Sequence, residues 1–450
     1  VEAGTATWSA AFGITGQTTA AAVAVNPSNG DLLVAGGLEG TVDLGGGRLP
    51  SPSDAGAGSG LFLASYTSAG AYASSAYFPG KGATVQGLAA SVSGDVYLSG
   101  VFPESLALGR STLTATGDVD SFLVAIGPSG AVAWTKDFGV SGATAILGSV
   151  AVDSHGDVIF SQAGQGGGYV LTKYKPSGDL VWLTAITLTF GSAAPTFVVD
   201  GADNLVVAGS FTGTANFGLE DVTSVSSRGD AFVAKYDSTG AYLWANQYTP
   251  TGTKAGADVA LGGLATDPCG DIFALGEFGA ADGMATLDLG AGTLRAPGGS
   301  DAIFLARLTA GGGAVWSKAF SFEGTDLVPR SLTVDPSGGP VLASLLSGSV
   351  NYGGDLLTSA SPAATLAAFD PAGGYLWSYL AGPAAYTTIG SPAGLAATVS
   401  GVAVAGSFGG CSVAGCPGGT SPPGTTLTLP GGGSITAAAQ SDLFLATFAD

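Results

Sequence analysis

Residues Phe197–Phe211 read FVVDGADNLVVAGSF, and Ala231–Tyr248 read AFVAKYDSTGAYLWANQY. In each, an apolar run of strand character meets a short polar turn, and a second apolar run follows, which is the pattern of a β-hairpin. Asp200 and Asp237 open the two turns with a side chain that accepts backbone N–H groups, and glycines within the turns tolerate positive φ. Two such hairpins in succession make one four-stranded antiparallel unit.

The first hairpin recurs along the chain. Its copies are AVAVNPSNGDLLVAGGL from Ala22, LAASVSGDVYLSGVF from Leu88, VAVDSHGDVIFSQAG from Val150, LATDPCGDIFALGEF from Leu264, LTVDPSGGPVLASLL from Leu332 and LAATVSGVAVAGSF from Leu395. With Phe197 this makes seven, at a spacing of about 64 residues. Asn26, Asp153, Asp200, Asp267 and Asp335 open these turns and are read as turn formers. The second hairpin follows each copy, as in LFLASYTSAGAYASSAYF from Leu61 and IFLARLTAGGGAVWSKAF from Ile303. In the last copy it is split, with LFLATF at Leu443–Phe448 and TWSAAF at Thr7–Phe12.

This pattern predicts an all-β fold, a seven-bladed β-propeller with four antiparallel strands per blade. A strand at about 5–13 pairs with one at about 442–449 in a single blade, closing the ring and hiding both sheet edges. The chain is then one domain, with blades at about 20–79, 83–139, 146–188, 194–249, 259–321, 329–381, and 392–450 plus 1–13. Trp8, Trp134, Trp182, Trp244, Trp316 and Trp377 occupy one position of the fourth strand, and Ser74 holds it in the first blade. Four residues later comes Phe12, Phe78, Phe138, Ile186, Tyr248 or Phe320, an even spacing that puts both on one face. They are expected to pack blade against blade, each Trp contributing roughly 2–4 kcal/mol. Ser74 marks a weaker seam.

Composition agrees. Gly reaches 76 of 450 residues and only 10% of the chain is charged, which suits short strands and tight turns. The formal charge of -20 repels a phosphate backbone, so nucleic acid is excluded as a partner. Apolar stretches such as Leu395–Phe408 are interrupted by Gly, Ser and Thr, so membrane insertion is not expected. The sole methionine is Met284 and the chain starts at Val1; removal of an export signal is the expected cause, and the predicted location is extracellular or the bacterial cell surface. Cys411 and Cys416 lie close enough in a Gly/Pro-rich loop to form a disulfide.

Between strands two and three lie Gly-rich arms, including TVDLGGGRL from Thr41, TANFGLEDV from Thr214, TLDLGAGTL from Thr286 and SVNYGGDLL from Ser349. The third blade lacks its arm, leaving a notch in the rim. Asp43, Asn216, Asp288 and Asn351 recur within the arms, as Asx-turn formers or, if a cofactor is present at all, as calcium ligands. The chain entering each first strand lines the channel mouth. There Asp258 and Asp326 share one register, Arg330 and Gln86 share another, and Lys81, Lys254 and Tyr386 complete a polar set that is the candidate ligand site. Asp258 and Asp326 are also a candidate carboxylate pair for acid–base or metal chemistry.

GTVDLGGGRL at Gly40, SRGDAFVAKYDSTGAYLW at Ser227 and VAVDSHGDVIF at Val150 resemble the SBBP repeat, the seven-bladed β-propeller repeat of exported bacterial proteins. The resemblance covers essentially the whole chain and implies a surface or secreted platform, with no catalytic residues to carry over. KYDSTGAYLW is also locally similar to the tryptophan motif of pyrroloquinoline quinone enzymes, although the adjacent cysteine pair of those enzymes has no counterpart in Cys411 and Cys416. The functional expectation is a non-enzymatic binding or adhesion platform for a surface glycan, peptide or protein, with the ligand on the arm-bearing face. The only histidine, His155, falls on the opposite face, away from the mouth. Two alternatives stand beside this. One is a self-assembling component of a surface layer or fibre, since no charged residue lies between Asp370 and Asp442. The other is a hydrolase, lyase or quinoprotein-like enzyme.

Overall fold

Thr196–Val199, Leu205–Asn216, Asp230–Tyr236 and Tyr242–Tyr248 pair in chain order as an antiparallel meander. The third strand is buried at every residue, because it packs on both faces, whereas the fourth stands at the edge and is mostly half-buried, with Leu243 exposed and Tyr248 buried. The structure, a computed structural model, describes residues 4–13, 15–49, 58–139, 149–163, 168–190, 195–219, 221–252, 257–280, 284–296, 301–381, 387–389, 394–409, 426–430, 434–436 and 441–449. Among them the regular elements are strands, with no helix.

The same meander is built from Thr15–Val25 to Tyr72–Pro79, from Thr84–Ala90 to Val132–Phe138, and from Val150–Val152 to Leu180–Phe190. Ala257–Thr266 opens the next, whose fourth strand, Ala314–Val334, continues without a break into the first strand of the unit that ends at Tyr375–Ala381. The last meander is Leu395–Thr398, Gly401–Gly409, Ser441–Ala449 and, from the other end of the chain, Ala6–Phe12. Units are numbered one to seven in chain order from Thr15–Val25, so the Thr196–Tyr248 meander is unit four. Each first strand touches the first strand of the next unit, and Leu395–Thr398 touches Thr15–Val25, so the contacts return to their start. Residues of all seven first strands, among them Gln86, Ser149, Thr196 and Leu395, surround one channel of about 380 Å³. The fold is propeller-like.

Tryptophan joins the units. A Cβ placed on Gly70, Gly178, Gly240, Gly312 or Gly373, the glycines of the turn between strands three and four, would lie 2.8–3.2 Å from a ring carbon of Trp8, Trp134, Trp182, Trp244 or Trp316 of the preceding unit. At the split unit Gly4 takes this place against Trp377, at 2.7 Å. Four of the indoles also donate Nε1–H to the same turn: Trp8 to Ser68 O at 3.2 Å, Trp134 to Pro176 O at 2.8 Å, and Trp182 to Ser238 O and Trp316 to Pro371 O, both at 3.0 Å. The aromatic four residues on crosses the same seam, Phe12 onto Tyr66 at 5.1 Å, Phe138 onto Phe160 at 5.0 Å and Phe320 onto Phe369 at 5.4 Å.

The aspartates that open the inner turns form them: Asp200 Oδ1 accepts the N–H groups of Ala202 and Asn204, and Asp267 Oδ1 those of Cys269 and Asp271, all at 2.9 Å. Their second oxygens meet a cation from strand three of the same unit. Lys173 pairs with Asp153, Lys235 with Asp200, and Arg307 with Asp267 and Asp271. Each cation then reaches the next unit, Lys173 to Ser238 O, Lys235 to Ala310 O and Arg307 to Pro371 O.

Candidate functional site

In units two, four and seven a buried carboxylate stands at the start of the third strand, and in units two and four it braces the loop that leads there. Asp120, Asp230 and Asp442 begin that strand with at most 1% of each residue exposed. Asp120 Oδ2 accepts Thr116 N–H at 2.6 Å, and Asp230 accepts the N–H groups of Val225 and Ser226 at 3.0 Å with Gln247 and Thr249 behind them. Burial pushes the Asp230 carboxyl up, but these hydrogen bonds together outweigh it and hold the group below the ordinary carboxylate range. The loop so fixed carries Ser226 and Arg228 to unit five: Ser226 Oγ donates to Ala257 O at 2.6 Å, and Arg228 lies 3.3 Å from Asp258.

Unit five departs from this plan by one residue. Asp120, Asp230 and Asp442 stand two residues before Phe122, Phe232 and Phe444, whereas Asp301 stands three before Phe304. Because side chains alternate along a strand, Ala302 takes the buried position and Asp301 moves outside it. Its carboxylate lies against Gly279, where any Cβ would collide with it. Loss of hydration and then the charge of Asp258 push Asp301 above the usual range, with Arg228 opposing.

Glu277 completes the group. It pairs with Ala260 on one side and Ile303 on the other. Burial, then Asp301 and Asp258, push its carboxyl up to about 7, with Arg330 opposing and Asp326 adding to the rise. Four carboxylates from units five and six thus share a field with two guanidinium groups, at the arm end of the channel.

The sequence-derived mouth residues are partly drawn together here. Asp258 and Asp326 each stand four residues before a β-bulge, at Leu261/Gly263 and Pro329/Ser331. Arg330 is the extra residue of its bulge, and Gln86 is the extra residue of the corresponding bulge at Val85/Gly87 in unit two, where it lines the channel. Lys81 is exposed in the connection between units one and two. Lys254, Tyr386, Cys411 and Cys416 lie outside the described residues. Glu277, Asp301 and Arg228 were missed. The strand register held the signal for Glu277: the equivalent positions are Gly37, Val101, Ala163, Ser210, Leu345 and Ser407, none of them charged.

The arm residues do not meet. Asp43 accepts Gly45 N–H at 2.8 Å, Asn216 Gly218 N–H at 2.8 Å, Asp288 Gly290 N–H at 2.7 Å and Asn351 Gly353 N–H at 2.6 Å, each closing its own arm. In unit three no arm hairpin is present among the described residues; Leu180–Phe190 instead runs on and pairs through Thr187 and Leu188 with Asn216 and Ala215 of unit four. Among the described residues, the group with metal-like ligand spacing is Asp153, His155 and Asp203 in the inner turns of units three and four. There Asp153 is engaged by Lys173, and Asp203 by Ser154 and His155.

No family model matches the chain. A stretch of 101 residues, 20% of the chain, is 31% identical to an uncharacterised WD-repeat-containing protein of Acanthamoeba polyphaga mimivirus, and the match spans 7% of that protein's length. Among solved structures, a protein of unknown function from Dyadobacter fermentans is 10% identical, with 98% of each chain covered and a TM-score of 0.38. A gluconolactonase from Xanthomonas campestris is 11% identical over 79% of this chain and 90% of its own, with a TM-score of 0.30. Prolyl oligopeptidase B from Galerina marginata is 9% identical over 88% of this chain and 48% of its own, with a TM-score of 0.41. No helix among the described residues is long and apolar enough to cross a membrane.

Proposed function

We propose that the chain is a seven-bladed β-propeller of the SBBP repeat type, exported and acting as a non-catalytic binding platform. Its ligand is a basic segment of a surface peptide or protein, held by a cationic group at the arm-side mouth between units five and six. The observation that carries this reading is the convergence, among the described residues, of Asp258, Glu277, Asp301 and Asp326 with Arg228 and Arg330. Repeated residues account for turns and seams; these charges are the ones the repeat does not require. A mouth whose charge is mainly of one sign selects opposite charge and speeds its encounter.

Calorimetric titration with a lysine-rich peptide, in parallel with a neutral glycan and with calcium, tests the reading. Peptide binding should strengthen from pH 6 to pH 8 as Glu277 ionises, and Asp258→Asn should weaken it about tenfold, near 1.4 kcal/mol. Equal binding by the neutral glycan, or peptide binding indifferent to Asp258→Asn, overturns it. Growth of the native mass with concentration would instead support self-assembly through the uncharged stretch between Asp370 and Asp442.

Glu277 also favours a second reading, a hydrolase or lyase in which it donates a proton beside Asp258. Turnover that is lost in Glu277→Gln while peptide binding is absent from the wild type would establish that instead.

A further inference from the structure

We propose that the seam between units one and two holds a vacant berth for a tryptophan side chain contributed by a partner polypeptide. At the other six seams an indole of this chain lies against a glycine of the next unit. At this seam the position belongs to Ser74, which is exposed, and a Cβ on the corresponding glycine, Gly130, would meet no atom of the described residues within 4 Å. Gly130 is itself exposed, whereas Gly4, Gly70, Gly178, Gly240, Gly312 and Gly373 are buried or half-buried.

The receiving turn keeps the shape that binds indole elsewhere. Gly130 has φ +80 against +82 at Gly240. Gly127 N–H donates to Ala131 O at 2.9 Å and Gly130 N–H to Gly127 O at 2.8 Å, the pattern that Asp237, Ala241 and Gly240 form at the Trp182 seam. The Pro128 carbonyl stands where Pro176, Ser238 and Pro371 each accept an indole N–H, and no described donor reaches it. Leu33 and Ile126, 4% and 3% exposed, stand at the register positions where Tyr97 and Tyr174 flank Trp134 at 6.0 and 6.3 Å, so the core behind this seam is closed without an indole. The site therefore offers an open glycine surface, the feature against which six indoles lie in the same molecule, and a free acceptor of the kind that bonds four of them. Those indoles all come from extended segments, so the fitting source is an extended polypeptide.

The probe is a heptapeptide with this chain's own outer-strand sequence, AVWSKAF from Ala314–Phe320, carrying 5-fluorotryptophan and followed by fluorine NMR. Free 5-fluoroindole is titrated alongside. Wild type and Ser74→Ala should bind the peptide alike, and Ser74→Trp, which fills the berth from within, should weaken it at least about tenfold. Thermal unfolding of Ser74→Trp above the wild type would show that its new indole is seated. Three results overturn the proposal: no peptide binding by the wild type, binding undiminished in a seated Ser74→Trp, or binding of free fluoroindole without the peptide.

Discussion

The ammonium of Lys235 lies 2.8 Å from the carboxylate of Asp200, with 5% and 2% of the two side chains exposed. The pair ties strand three of unit four to its inner turn, and Lys235 passes the tie to Ala310 O of unit five. Burial works to raise the Asp200 carboxyl, but hydrogen bonds from Lys235, Asn204 and Ala202 hold it below the ordinary range. A group lowered in this way stabilises the fold above its unfolded pKa near 4, and that contribution is lost as pH falls.

Lys235→Ala leaves Asp200 buried and unpaired, so a loss of about 3–5 kcal/mol is expected at pH 7. Without the ammonium, burial dominates and the Asp200 carboxyl rises. The deficit should then narrow on acidification, as that carboxyl takes up a proton in the folded state. Urea unfolding at pH 7 and pH 4.5 measures both.

Trp182→Ala removes an indole that covers Gly240 and bonds Ser238, at an expected cost of about 2–4 kcal/mol. Trp182→Phe keeps the ring contact and loses the hydrogen bond, at about 1 kcal/mol. Equilibrium unfolding of the two variants separates packing from the bond.

Glu277 has a folded pKa raised from 4.5 to about 7. A raised carboxyl binds its proton more tightly when folded, so its contribution is complete below pH 4.5 and is lost as pH rises through 7. At about 1.4 kcal/mol per tenfold change in proton affinity, the loss is of order 3 kcal/mol. Stability should decline between pH 5 and pH 8, and Glu277→Gln should flatten that decline, as read from chemical denaturation across the range.

Asp230→Ala withdraws the acceptor that fixes Val225 and Ser226, costing about 1–3 kcal/mol for the buried donors left behind. The loop that carries Arg228 to Asp258 should loosen, and trypsin should cut after Arg228 at least about tenfold faster, since local opening governs cleavage. Asp230→Asn keeps one acceptor oxygen and should fall between. Limited proteolysis followed by mass spectrometry reads the site and the rate.

The strand order of each unit, the inner-turn aspartates, the six tryptophans and the pairing of Thr7–Phe12 with Leu443–Phe448 were all legible in the sequence. They are carried by period-two alternation, turn chemistry and a repeated spacing, which act within a few residues and recur seven times, so each copy checks the others. The candidate site was legible in part. Asp258, Asp326 and Arg330 stood out by register, but Glu277 looked like one more strand residue and Asp301 like one more loop acid. Only the tertiary structure decided that these groups, with Arg228 of the preceding unit, share one field. A single added residue before Phe304 turned Asp301 out of the position that Asp120 and Asp230 fill, and strand pairing set Glu277 beside it. Electrostatic influence depends on separation in space and on burial, and both are set by the packing of one unit on the next.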